Sequence, residues 1–192
     1  MRYFLTLLRE DFERYLDGHA MGARSACRAI VNNPGLQAVV VYRFGRALLS
    51  RRRYAWWWPF LAVAAPLYAV SAWIVRSLYG IRLYLSAQIG AGFSVLHFGG
   101  IEFANCRVGE QCSVGNQVKV GSTQDAQGPQ IGDRVWIGAH AKVTSPVTIG
   151  DGATIAPGAR VTRNVPTRSL VVGNPARIVS RSYDNSSITP KG

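Results

Sequence analysis

Residues 131–165 read IGDRVWIGAHAKVTSPVTIGDGATIAPGARVTRNV, and every sixth position (Ile131, Ile137, Val143, Ile149, Ile155, Val161) is Ile or Val. The series continues backward, with interruptions, through Val120, Val114, Val108, Ile101, Val95 and Ile89 to Leu83, so that thirteen aliphatic positions lie between Leu83 and Pro166. Gly follows many of them, as at Gly90, Gly109, Gly115, Gly121, Gly132, Gly138 and Gly150. The fifth residue of most hexads is small or β-branched: Ala87, Cys112, Val118, Val135, Ala141, Val147, Ala153, Ala159 and Val165. A period of six fits neither an amphipathic helix nor an alternating strand. It fits a coil with short flat sides, each side turning one aliphatic and one small residue inward. Gly92, Gly152, Gly158 and Asn164 then fall at corners, where φ > 0 is expected. One coil cannot bury its own core, so the coils must stack into a solenoid.

The repeat fails in two places. Between Ile89 and Val108 the small position is taken by Phe93, Gly99 and Asn105, Leu96 and Glu102 replace the usual Gly, and one extra residue precedes Val108. His97 stands in the middle of this patch. After Val120 the segment GSTQDAQGPQ (121–130) postpones the next aliphatic position and must loop out of the solenoid. Interruptions of a repeat map to loops, and loops carry function.

Ahead of the repeat, residues 1–82 form a helical region. Phe4–Tyr15 is expected as an amphipathic helix with Phe4, Leu7, Leu8, Phe12 and Tyr15 on one face. A softer stretch with Gly18 and Gly22 follows. NNPGLQAVVVYRFGRALLSRRR (32–53) then opens on Asn33 before Pro34, a helix start, and continues to about Ser50. Residues 54–75, YAWWWPFLAVAAPLYAVSAWIV, hold no charge over a membrane-spanning length, with Arg51, Arg52 and Arg53 at one end and Trp73 and Arg76 at the other. Three readings stand: buried or oligomer-contact helices, a membrane-surface segment, and a span. Pro59 and Pro66 should interrupt a helix and weigh against the span. The organisation expected is thus a helical region 1–82, a solenoid domain 83–181 and a polar tail 182–192.

A net charge of +12, of which +8 precedes Leu83 (12 Arg against 4 acids), calls for anionic partners. No nucleic-acid motif accompanies it, so nucleotide phosphates or anionic lipid heads are the economical explanation. Cys27, Cys106 and Cys112 lack metal-type spacing and suggest reduced cytosolic thiols, and Cys112 occupies an inward small position. The first sixteen residues, MRYFLTLLREDFERYL, show no secretory pattern, which points to a chain that is not exported.

IGDRVWIGAHAKV (131–143) and VTIGDGATIAPGARVTRNVP (147–166) resemble the hexapeptide-repeat acyltransferases, and VVGNPARIV (171–179) resembles the close of that domain in serine acetyltransferases. The resemblance implies an α+β chain, N-terminal helices followed by a left-handed parallel β-helix. It also implies an acetyl-CoA-dependent O-acetyltransferase that works as a homotrimer, or as a dimer of trimers through the helices. The helix with Pro34 and the Tyr42–Arg43 pair matches the one before the β-helix in that family, where packing and assembly are the expected roles.

Acyl transfer from a thioester to an alcohol requires a base for the hydroxyl proton and donors for the oxyanion. Of the three histidines, His19 reads as a surface residue and His140 as a corner residue. His97 lies in VLHFGG, which matches the segment holding the catalytic His of serine acetyltransferases, so His97 is the expected base. By the same resemblance Gly138, Ala139 and Ala156 line the pantetheine path, Lys142, Arg160 and Arg177 meet phosphates, and Gly121 or Ser122 offers an N–H to the oxyanion. Departures accompany the match. The family's Asp before the His is Leu96, the Asp fifteen residues upstream is Arg82, and a second active-site His falls at or near Gly128. Glu102 or Asp125 is left to supply a carboxylate. These departures favour the exopolysaccharide branch, similar to the colanic acid acetyltransferases. The expected acceptor is then a sugar hydroxyl of a cell-surface polysaccharide or its precursor, with a saccharide partner and membrane-surface contact at the inner face of the cytoplasmic membrane. Serine O-acetylation and a non-enzymatic scaffold are the alternatives. A zinc carbonic anhydrase on this fold needs three His ligands, and the β-helix has two histidines; no metal is expected.

Overall fold

The computed structural model describes residues 2–16, 22–51, 58–124, 127–144 and 146–188; His19, Asp125 and residues 54–57 lie outside them. Four helices, α1 (Arg2–Glu13), α2 (Ala23–Asn32), α3 (Pro34–Arg51) and α4 (Trp58–Tyr79), precede a parallel β-helix. Its short strands stack into three sheets. The first holds β1 (Ile81–Leu83), β4 (Ile101–Phe103), β7 (Lys119–Val120), β10 (Lys142–Val143) and β13 (Arg160–Val161). The second holds β2 (Gln88–Ile89), β5 (Arg107–Val108), β8 (Gln130–Ile131) and β11 (Thr148–Ile149). The third holds β3 (Ser94–Val95), β6 (Ser113–Val114), β9 (Trp136–Ile137), β12 (Thr154–Ile155), β14 (Leu170–Val172) and, antiparallel at its end, β15 (Arg177–Ser180).

The hexad pattern translates directly into columns. Twelve of the thirteen aliphatic positions are buried, Leu83 being half-buried, and the small residues from Ala87 to Val165 are buried beside them. Each aliphatic side chain so buried stabilises by about 1.5–3 kcal/mol. The recurrent Gly has a steric cause. A Cβ on Gly90 would lie 2.5 Å from Gly109 O, and one on Gly150 2.5 Å from Thr167 N, so adjacent coils approach at these corners closer than any side chain permits. Apart from Gly121, positive φ belongs instead to the turn residues, among them Gly92, Gly152 and Gly158, but also Gln111 (+58°), Gln117 (+54°), Arg134 (+53°) and His140 (+62°). Asn164 is not among them; its Oδ1 accepts the Thr148 N–H at 2.9 Å and braces the corner from outside.

The register of the irregular patch differs from the hexad reading. Phe103, not Ile101, stands in the column of Leu83 and Val120, while Ile101 and Ile81 fill the small-residue column below Val118. Similarly Cys106, one residue before Arg107, takes the small position assigned to Asn105. The chain takes eight steps from Val95 to Phe103 where it takes six from Val114 to Val120, and only five from Phe103 to Val108. An insertion of two residues and a deletion of one masquerade in the sequence as a single extra residue. Phe93 fills the wider first coils by packing edge-on against Phe103 (centroids 5.5 Å, 80°).

The helical region is fastened to the first coils by polar groups. α1 turns Asp11 inward, and the turn that follows it buries Arg14, so the contact is not an apolar face alone. Arg43 of α3 donates to both Asp11 oxygens (2.8 and 3.1 Å) and to the Ile89 and Gly90 carbonyls, while Asp11 Oδ1 also accepts the Phe93 N–H at 3.0 Å. Burial pushes the Asp11 carboxyl above its ordinary value; Arg43 and the N–H groups of Phe93 and Gly92 oppose that shift. Arg14 donates to Gln111 and Ser113, and the Tyr15 hydroxyl accepts the Val95 N–H at 2.7 Å. Tyr42 donates to Ala87 O at 2.7 Å and accepts the Ile89 N–H. Gly35 lets α3 reach β3, since an added Cβ would sit 2.7 Å from Val95. Burial drives the thiols of Cys106 and Cys112 up to about 12, so both are core filler.

Two expectations for the helices are corrected. The stretch after α1 contains a helix, α2, which the sequence reading leaves soft. α4 runs unbroken through both prolines: Pro59 lies in the first turn, where its missing N–H has no partner to lose, and Pro66 is interior but on the exposed side. Beyond β15 the chain folds back on the coils, with Tyr183 N–H on Arg168 O at 2.7 Å and Asn185 Nδ2 on Arg134 O at 2.9 Å.

Candidate active site

The two-residue insertion in the first coil is His97–Phe98. Leu96 still bonds in register to Val114, and Gly99 resumes the pattern by accepting the Gln117 N–H at 2.7 Å. The corner between the third and first sheets therefore bulges at His97, which is exposed and carries no hydrogen bond or ion pair among the described residues. Phe98 anchors the bulge, its ring edge-on to Tyr79 at the end of α4 (6.1 Å, 64°).

Along the same edge lies a groove of about 580 Å³ lined by Gly99, Gly100, Gln117, Lys119, His140, Lys142, Gly158, Arg160 and Asn174. Parallel pairing fixes its charge. Outward residues of the first sheet stack as Arg82, Glu102, Lys119, Lys142 and Arg160, one per coil, and Glu102 is the only acid in the column. Lys119 Nζ lies 3.9 Å from Glu102 Oε2, a loose and largely exposed pair. Lys142 and Arg160, with Lys119 held only loosely by Glu102, bring three cations to one groove and suit a polyanion such as a phosphate chain.

The structure brings His140, Lys142 and Arg160 together in this groove. Gly138, Ala139 and Ala156 lie on the adjoining stretch of corner, where a Cβ on Gly138 would fall 2.5 Å from Pro157 N. Arg177, in β15, is exposed and does not line the groove. Gly121 donates its N–H to Val143 O at 3.1 Å, which leaves Ser122 as the donor of that pair without a backbone partner among the described residues. Both sit at the opposite edge of the first sheet, at the base of the 121–130 loop, where Asn105 Nδ2 holds Ser122 O at 3.0 Å. Within one chain, then, the His97 corner and the loop flank the first sheet and do not converge. Lys119, Gln117 and Asn174 escape the sequence reading. Lys119 precedes an aliphatic position just as Lys142 and Arg160 do, and that spacing was the available signal.

Comparison with known proteins gives a consistent picture. Residues 128–163 match the family described as bacterial transferase hexapeptide (six repeats). Serine acetyltransferase of Bacillus licheniformis is 34% identical over 180 residues, covering 92% of this chain and 78% of the relative. That of Helicobacter pylori is 30% identical, covering 83% and 89%. Soybean serine acetyltransferase complexed with serine superimposes with a TM-score of 0.74 at 25% identity, over 93% of this chain and 70% of that one. The Brucella abortus serine acetyltransferase in complex with coenzyme A gives 0.73 at 22%, over 94% and 69%, a likeness of fold. These findings overturn the assignment to the exopolysaccharide branch and the sugar acceptor that went with it. Leu96 and Arg82 are two positions, whereas the likeness to serine acetyltransferases runs through the helices and the coils alike.

Proposed function

The chain belongs to the serine acetyltransferase family of hexapeptide-repeat transferases, and on that premise we propose that it transfers the acetyl group of acetyl-CoA to the hydroxyl of serine. It is an O-acetyltransferase, and acetyl-CoA is its acyl donor. The observation that carries the acceptor is the 34% identity over 180 residues, a span that takes in the β-helix and most of the helical region.

The working unit is a homotrimer in the cytoplasm, with room for two trimers to meet through the helices. Trimer formation supplies what one chain lacks: the 121–130 loop of a neighbour set against the His97 corner. Lys119, Lys142 and Arg160 meet the phosphates of acetyl-CoA, with Arg177 at the rim, and the corner of Gly138, Ala139 and Ala156 gives the pantetheine arm a wall without long side chains. His97 takes the proton of the serine hydroxyl as its oxygen attacks the thioester carbonyl carbon. The neighbour's Ser122 N–H stabilises the oxyanion. The C–S bond then breaks, and the departing CoA sulfur receives the proton that His97 holds, so the imidazole returns to its starting state. The ammonium group of serine requires a carboxylate to offset its lost hydration. With Leu96 and Arg82 where relatives resembling the family place Asp, Glu102 is the acid of the first-sheet column that fills this role.

The test is release of free CoA thiol by the purified chain with acetyl-CoA and L-serine. The expected kcat/KM for serine is about 10⁴ M⁻¹s⁻¹ or above, the lower range for ordinary enzymes. Acetyl transfer to hydroxyl compounds without an amino group, at rates serine does not approach, would refute the proposal.

A further inference from the structure

Helix α4 is apolar around most of its circumference, but among the described residues only one side is covered. Leu61, Ala64, Tyr68, Ser71, Ala72, Val75 and Tyr79 recur at helical spacing and are the half-buried or buried positions, turned to α3 and β1. Gly45 of α3 makes that contact close, since a Cβ there would meet the Tyr68 ring at 2.5 Å. On the outer side Val63, Leu67, Val70, Ile74 and Leu78 form a second stripe, with exposures from 38% to 72%. Trp58 and Trp73, 69% and 60% exposed, lie off this stripe and add exposed apolar surface on other sides of the helix. The helix has 22 residues, about 33 Å, and its only charged residue is Arg76.

We propose that this outer face of α4 lies on an anionic phospholipid surface, in the plane of the interface. Charge selects the occupant. The region before Leu83 carries 12 Arg against 4 acids, and one of those acids, Asp11, is buried against Arg43. Val63 and Leu67 of the stripe line a cleft whose wall also holds Arg46 and Arg107 against one acid among the described residues, Asp151, and the triplet Arg51, Arg52, Arg53 immediately precedes the apolar run in sequence. A second copy of this region would bring like charge against like charge. Anionic headgroups neutralise it, each Arg near the surface strengthening binding by about fivefold. Spanning is excluded by the packing: a helix with one side fixed to α3 and β1 cannot be surrounded by lipid.

The experiment is co-sedimentation of the full chain with vesicles. Binding to phosphatidylglycerol-containing vesicles should exceed binding to pure phosphatidylcholine by at least about tenfold, and about 1 M salt, with its 3 Å screening length, should remove most of the difference. Val63→Asn, Leu67→Asn and Val70→Asn combined should weaken binding by about tenfold or more while the solution mass and serine acetylation of the soluble protein stay unchanged. These residues are exposed, so folding does not depend on them. Equal or absent binding to the two vesicle types overturns the proposal. So does a halving of the solution mass in the triple variant, which would assign the face to a second copy. None of these outcomes touches the acceptor, because acetylation is read separately.

Discussion

The upper coils of the β-helix and helix α4 are both rich in aliphatic residues, yet only in the coils does each residue's environment follow from its place in the sequence. In the coils, Ile131, Ile137, Val143, Ile149 and Ile155 recur every sixth residue and all point into the core. In α4 the apolar residues recur on all sides, and nothing in their order tells Val75, which is buried, from Val70, which is 55% exposed. A strict period specifies a burial pattern; bulk hydrophobicity only permits one. The junction between the two regions is different again, being made of buried charge.

That junction is where the comparison breaks most sharply. Asp11→Ala leaves Arg43 buried without its partner and should cost about 3–5 kcal/mol, read as a lower midpoint in urea; replacing both residues with apolar ones should recover a substantial part. A loss confined to the helical region would show the two regions to be separable. Next in size, Ile137→Ala should cost about 2–5 kcal/mol in the coils, whereas Leu67→Ala on the outer face of α4 should change stability by no more than about 0.5 kcal/mol. Equal effects would mean that the α4 face is covered in solution.

Legibility followed the same divide. The columns, the corners of most coils, the 121–130 loop and the position of His97 could be read from spacing. The register at Phe103 could not, because an insertion at His97–Phe98 and a deletion before Val108 nearly cancel in a count of residues. Ile101 is also as aliphatic as the residue expected there. Asn164 looked like a corner residue with φ > 0 because Asn tolerates that conformation, but its side chain is used as a brace. Lys119, Gln117 and Asn174 belong to the groove through stacking of successive coils, and between Lys119 and its partner Lys142 the 121–130 excursion stretches the sequence separation to 23 residues. The acceptor was misread for a related reason: two substituted positions, Leu96 and Arg82, outweighed a likeness spread over the whole chain.

Smaller effects sharpen the picture of the coils. His140 holds φ at +62°, a conformation that costs a non-Gly residue about 1–2 kcal/mol. His140→Gly should therefore raise the unfolding midpoint, by a net amount of up to about 1 kcal/mol once the greater freedom of Gly in the unfolded chain is subtracted. Smallest in energy is the thiol test. Cys27 is exposed while Cys106 and Cys112 are buried, with thiols pushed up to about 12. One thiol per native chain should react with a disulfide reagent at mildly alkaline pH, and all three after denaturation.

The account rests on the bulge at the first corner being the catalytic one, and His97→Ala tests it most directly. With acetyl-CoA and serine as substrates, kcat should fall by about 10²–10⁴-fold, the range for loss of a general base, while calorimetry shows binding of CoA unchanged because its contacts lie on other residues of the groove. A variant that keeps more than about a tenth of the original kcat would contradict the account and place the base elsewhere.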